Sequence, residues 1–158
     1  MVTRVAILAG GNTNDVAERL ERAEHLIAER VGEVVARSSV LKSEAWGFHA
    51  APFLNRAFVV DTLLDAEPLL DVLQTIEREL GRNREEELCE KRATGERYAS
   101  RPIDLDILLY GEQRIATERL TVPHALLLER DFALEPLGEA LGLTREELVD
   151  KVKRIEQR

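Results

Sequence analysis

Residues 101–111 read Arg-Pro-Ile-Asp-Leu-Asp-Ile-Leu-Leu-Tyr-Gly, and the run from Pro102 to Gly111 has the composition of a strand. Strand side chains alternate, so Ile103, Leu105, Ile107 and Leu109 share one face while Asp104 and Asp106 share the other. The apolar set has to face the core. Two carboxylates then stand side by side in mid-strand, where Asp is depleted and like charges repel. A pair placed against local preference calls for a cation. Hard oxygen ligands, with room for water and phosphate oxygens, suit Mg2+. The plainer alternative is a solvated outer face that carries two acids. Arginines on both sides of the run favour the cation.

Working outward, this strand is the last of a series. Residues 3–9 read as a buried strand broken by Gly10-Gly11-Asn12. A helix over 15–31 follows, with Val16, Leu20, Ala23 and Ile27 at helical spacing and Gly32 placed as its C-terminal stop. A strand over 33–42, a loop over 43–52 and a strand over 53–62 come next. A second helix opens at Glu67-Pro68, carries Leu69, Leu70, Leu73, Ile76 and Leu80, and ends at Gly81. Residues 82–101 show no usable periodicity, and a loop of that length in a compact domain is more often functional than idle. Beyond the aspartate strand, Leu120 to Pro123 suggests a short strand and 132–141 a helix. Thr144 with Glu147 forms a capping box for a last helix bearing Leu148, Val152 and Ile155. The order β-α-β-β-α-β predicts an α+β, ferredoxin-like core. In it, two helices pack on one face of an antiparallel sheet, with appended strands and C-terminal helices.

The 158 residues carry a net charge of −8, with 44% hydrophobic and 33% charged residues. One domain spanning 1–158 is the expectation. The single Cys89 rules out an internal disulfide and a cysteine-based metal cluster. There is no apolar run long enough to cross a membrane, and the stretch from Val5 to Gly10 is too short for a signal peptide, so a cytoplasmic location is expected. The acidic balance and the sparse aromatics argue against a nucleic-acid binder and against a ferredoxin-like RNA module. Yet Arg82, Arg84, Lys91, Arg92, Arg97 and Arg101 cluster in one segment. A local basic cluster in an acidic chain points to a small anionic ligand, and phosphoryl-type transfer needs that mixture of positioning and charge neutralisation. The same cations can instead pair with Glu85, Glu86, Glu87, Glu90 and Glu96. That reading is preferred for the glutamates, and ligand contact for Arg82, Arg84 and Arg101.

Weaker signals lie elsewhere. Gly10-Gly11-Asn12 can bring backbone close to a ligand, or be a plain strand-to-helix turn. Phe53 and Asn55 offer a ring and a carboxamide to a flat heterocycle, or are a core Phe and a turn Asn. His124 can donate to phosphate or be structural. Trp46 can be a lid residue or a core anchor.

Taken together, the motifs resemble the 6-hydroxymethyl-7,8-dihydropterin pyrophosphokinases of folate biosynthesis. They are Ala-Gly-Gly-Asn at 9–12, Phe-Leu-Asn at 53–55, Gln74 and Glu77 ahead of Gly81-Arg82-x-Arg84, Arg101-Pro-Ile-Asp104-Leu-Asp106-Ile-Leu, Val122-Pro123-His124, and Arg130-x-Phe132. The resemblance implies that ATP donates a pyrophosphoryl group to the hydroxymethyl oxygen of 6-hydroxymethyl-7,8-dihydropterin, releasing AMP. Asp104 and Asp106 would hold two Mg2+ ions, with Arg82 and Arg101 assisting from a mobile lid over 82–101. Gln74, Glu77, Arg84, Tyr98, Ile107, Arg119, Thr121, His124 and Arg130 would serve ATP. Gly10, Ser43, Ala45, Trp46, Phe53, Asn55 and Phe132 would serve the pterin. Only small-molecule partners are expected, with no nucleic acid or membrane, and the chain is expected to be a monomer or a weak dimer. Departures from the family pattern are Gly11 for Ser, Glu44 and Ala45 for prolines, Tyr98 for a lid Trp, the small Ala125, and extra acidic residues between Arg84 and Arg97.

Overall fold

A computed structural model describes residues 1–43, 52–95 and 102–158, with the side chains of Arg84, Glu90 and Thr94 outside that description. The strands are β1 (Thr3–Gly11), β2 (Gly32–Arg37), β3 (Leu41–Ser43), β4 (Phe53–Thr62), β5 (Asp104–Tyr110), β6 (Ile115–Ala116) and β7 (Thr121–Val122). The helices are α1 (Val16–Arg30), α2 (Ala66–Glu79), α3 (Arg84–Thr94), α4 (Asp131–Leu141) and α5 (Arg145–Glu156). The sheet order is β2-β4-β1-β5, antiparallel throughout, with β3 also paired to β4. This is the expected ferredoxin-like arrangement. Strands β6 and β7 form a separate ribbon. None of the described helices is long and apolar enough to cross a membrane.

Both faces of the sheet are buried. On one, Val5, Ile7, Ala9, Phe58, Val60, Leu105 and Ile107 pack against the stripes of α1 and α2. On the other, Ala6, Leu8, Ala57 and Leu108 pack against Leu134, Leu137, Leu148 and Val152 of α4 and α5. Thus β1 reads as an unbroken apolar run because neither of its faces meets water. The appended C-terminal helices are therefore the second cover of the sheet.

The local expectations need several corrections. Leu109 does not share the face of Leu105 and Ile107. The β1–β5 register shifts between Ala6 and Ile7, and this bulge turns Leu109 to the α4 side. The strand expected over 33–42 is two strands. Between them Ser38 is buried, and its hydroxyl accepts the Ala57 amide at 2.9 Å and donates to the Ser39 carbonyl at 2.7 Å. A side chain thus takes over part of the ladder's hydrogen bonding.

Gly32 is not a left-handed helix stop either. The C-cap is Val31, in right-handed conformation, and Gly32 opens β2. Its role is close approach: a Cβ there would lie 1.9 Å from the Asp61 carbonyl oxygen. That neighbour is backbone in a central strand and has nowhere to go. We expect Gly32→Ala to cost about 3 kcal/mol, lowering Tm on the order of 5–10 °C. A thermal melt unchanged from wild type would refute the close-approach account.

Candidate active site

The residues picked out as a heterocycle reader and as a cation pair lie in one row. Gly10 of β1 pairs with Asn55 of β4 on one side and with Asp104 of β5 on the other. Directly opposed residues of an antiparallel sheet point to the same face, so Asn55 and Asp104 flank a position with no side chain, about 10 Å apart. Alternation adds Phe53 and Asp106 to that face, the one covered by α4 farther along. Phe132, in the first turn of α4, packs against the same layer, and the Arg130 guanidinium lies 5.5 Å from its ring centre. Asn55 is buried, and its carboxamide nitrogen donates to the Ser43 hydroxyl at 2.8 Å. A Cβ on Gly10 would come within 2.6 Å of the Asn55 Oδ1. Glycine there keeps the carboxamide in place.

The second part of the site is built at the end of α2. Gly81 takes φ +105, which an L side chain rarely adopts, and the Arg82 amide donates back to the Glu77 carbonyl at 3.0 Å. The turn sends the Arg82 side chain back toward β5. Its Nη1 donates to Glu77 Oε2 at 2.7 Å and to Asp104 Oδ1 at 2.9 Å, and its Nε donates to Glu87 Oε1 at 3.0 Å. Glu77 Oε2 also accepts the Leu105 amide at 2.7 Å, on the outer edge of β5, which has no strand beyond it among the described residues. Burial pushes the Glu77 carboxyl up to about 7, helped by Asp104 and opposed by Arg82 and the Leu105 bond. Burial alone would lower the Arg82 pKa, but Asp104, Glu77 and Glu87 outweigh it and raise it further.

Residues 82–101 are expected to lack regular structure, and the structure corrects this over Arg84–Thr94, which form α3. Asn83 caps α3, its side-chain oxygen accepting the Glu85 and Glu86 amides at 2.9 and 3.2 Å, and Gly95 closes the helix in left-handed conformation. Acids in the first turn and bases in the last complement the helix dipole. Glu87, expected to pair with the cations of this segment, does so with Arg82, the arginine expected to contact ligand, and the pair is buried. The cap Asn83 and the stop Gly95 were the signals that could have revealed the helix.

A cleft of about 190 Å³ beside β5 is lined by Asp106, Ile107, Arg119, Thr121, His124 and Ala125, among others. Arg119 reaches it while paired with Asp71 and Glu67. The His124 amide donates to the Leu108 carbonyl at 3.1 Å, and its Nδ1 accepts the Leu126 amide at 3.4 Å, which leaves the ring proton on Nε2. Burial, and then Arg130, lowers the His124 pKa and favours the neutral ring. A neighbouring hollow of about 380 Å³ is lined by Gln74, Glu77, Arg78, Arg82, Asn83 and Glu85. Ala45, Trp46, Tyr98 and Arg101, and the Arg84 side chain, lie outside the described residues.

Among the described residues, no three His, Cys, Asp or Glu side chains gather as a metal cage. The donor set at β5 is two carboxylates, both half-buried. That suits Mg2+, which takes one or two carboxylates and completes its shell with water and phosphate oxygens.

Glu77 binds its proton more tightly folded, at about 7, than at its ordinary 4.5. The resulting stabilisation is full below about pH 4.5 and is lost as pH rises through about 7. Glu77→Gln keeps an acceptor for Leu105 and Arg82 without the charge. Its Tm relative to wild type should therefore shift in the variant's favour across that window. A constant difference would show Glu77 ionised throughout.

Comparison with known proteins identifies the family. The profile of the family 7,8-dihydro-6-hydroxymethylpterin-pyrophosphokinase (HPPK) matches residues 6–142. A 2-amino-4-hydroxy-6-hydroxymethyldihydropteridine pyrophosphokinase of Methylorubrum extorquens is 39% identical over 140 residues, 87% of this chain and 82% of that one. The mitochondrial folate synthesis bifunctional protein of Arabidopsis thaliana is 40% identical over 141 residues, and the match spans 87% of this chain but 23% of that protein. A crystal structure of Plasmodium falciparum HPPK-DHPS with pteroate superimposes with a TM-score of 0.68 at 14% identity, over 100% of this chain and 46% of the other. At that identity the superposition speaks for the fold. With a profile match over most of its length and a relative of similar size at well over 30% identity, the chain belongs to the HPPK family.

Proposed function

We propose that the chain transfers the pyrophosphoryl group of ATP to the hydroxymethyl oxygen of 6-hydroxymethyl-7,8-dihydropterin, releasing AMP. The observation that carries this reading is the row Asn55–Gly10–Asp104, which puts on one face the carboxamide read as the heterocycle's partner and the carboxylate read as a cation ligand. In this reading the pterin edge meets the Asn55 carboxamide, backed by Ser43 and Gly10, and its ring lies between Phe53 and Phe132. That seats the hydroxymethyl group beside Asp104 and Asp106. The base and ribose of ATP use the cleft of Ile107, Arg119 and Thr121 and the hollow of Gln74 and Glu77. His124, Arg130 and Arg84 face the phosphates.

The hydroxymethyl oxygen bonds to the β-phosphorus as the bond from that phosphorus to the α–β bridging oxygen breaks. AMP leaves with the bridging oxygen. Little covalent chemistry falls to the protein, whose task is alignment and neutralisation of spreading negative charge. Asp104 and Asp106 would hold two Mg2+ ions, which when bound supply Lewis-acid neutralisation of the triphosphate. Arg82 and Arg101 would assist from the lid segment, Arg82 through its bond to Asp104, and Tyr98 would offer a stacking ring. The lid segment excludes water while both substrates are bound. Residues 1–158 act as one HPPK-like domain, cytoplasmic, as a monomer or weak dimer, on small molecules alone.

The test is AMP release from ATP, Mg2+ and the hydroxymethylpterin. Asp104→Ala and Asp106→Ala should each lower turnover by roughly a hundredfold or more, with an unchanged circular-dichroism spectrum. Near-normal turnover in either variant would remove the metal assignment, and absence of AMP with the wild-type protein would remove the activity.

A further inference from the structure

Helix α3 has no apolar stripe. Of its described side chains Glu87 alone is buried, and its large apolar residue, Leu88, is 48% exposed. Hydrophobic burial therefore does not hold the helix to the body. Among its described side chains, an ion pair reaches inward, from Glu87 Oε1 to Arg82 Nε at 3.0 Å, with side chains only 11% and 7% exposed. Solvent screening, which makes surface pairs weak, is largely absent there.

The other end of the same guanidinium is also engaged. Nη1 is shared by Glu77 and Asp104. Arg82 is thus gripped at Nε by the lid-side helix and at Nη1 by the floor of the site. A planar fork gripped at two ends keeps its orientation, whereas one gripped at Nη1 alone can swing. Were Asp104 to turn to a bound cation, Glu77 would still hold Nη1, and Glu87 would still hold the Nε end.

We propose that Glu87 is a positioning residue for the transfer: its ion pair with Arg82 fixes that guanidinium beside Asp104 and, by the same contact, seats α3 on the rim of the site. The proposal rests on the pyrophosphoryl-transfer reading for its kinetic half. Its structural half stands apart from substrate.

Cys89 is the sole cysteine, is exposed, and lies on α3 two residues from Glu87, so a spin label there reports the helix without further engineering. In nucleotide-free protein, Glu87→Gln should release the label from the restricted motion seen in wild type. The same variant should lower kcat roughly tenfold or more, with KM for ATP changed far less. Glu87→Asp keeps the charge and should restore part of both. Glu86→Gln, the same charge change at an exposed neighbour, should alter neither. A label as restricted in Glu87→Gln as in wild type overturns the proposal, whatever the turnover. So does a kcat equal to wild type, or a loss confined to KM. If wild-type protein releases no AMP, the failure falls on the activity, and the label measurement still decides whether Glu87 seats α3.

Discussion

The carboxylate of Glu77 is where the sheet and the site are joined. As the edge strand of the sheet among the described residues, β5 leaves the outward amide of Leu105 with no strand to bond. An unpaired buried amide is costly, and Glu77 Oε2 satisfies it. A carboxylate placed so deep needs a cation, and Arg82, turned back by Gly81, supplies it. That guanidinium in turn draws in Asp104 and Glu87. One edge hydrogen bond therefore fixes the order in which four charged side chains must be arranged.

The two-sided cover of the sheet sets where this arrangement opens. Helices α1 and α2 close one face over its whole apolar length, and α4 and α5 close the other beside Ala57, Leu8 and Leu108. Farther along the same face stand Asn55, the bare Gly10 and Asp104. The polar positions are those the second helix layer leaves behind, with Phe132 at its margin. Any side chain at Gly10 would meet the Asn55 Oδ1 and displace the carboxamide. One glycine thus serves both the shape and the chemistry of the row.

Most of this was legible in the chain wherever burial is one-sided and periodic. Strand β4 is found at the predicted 53–62, the capping box of Thr144 and Glu147 makes both its bonds, and Asp104 and Asp106 face the same side as read. Failures came where a local device replaced the regular pattern. A bulge turned Leu109, Ser38 split a strand with its own hydroxyl, and Gly32 answered to a neighbouring carbonyl that no spacing reveals. Helix α3 was missed because it buries a charge in place of a leucine, so apolar periodicity was silent. The site residues were individually ambiguous. Asn55 and Asp104 acquire joint meaning only from the strand pairing through Gly10, a register that lies between segments far apart in sequence.

The same polarity of α3 has an evolutionary consequence. A helix that adds nothing to either hydrophobic layer can lengthen, shorten or change its exposed residues, Glu87 apart, without unsettling the folded domain. Selection can then reshape this segment on one set of residues and adjust thermal endurance on another. Between related sequences, variation should pool in this segment while the layers beneath it hold still.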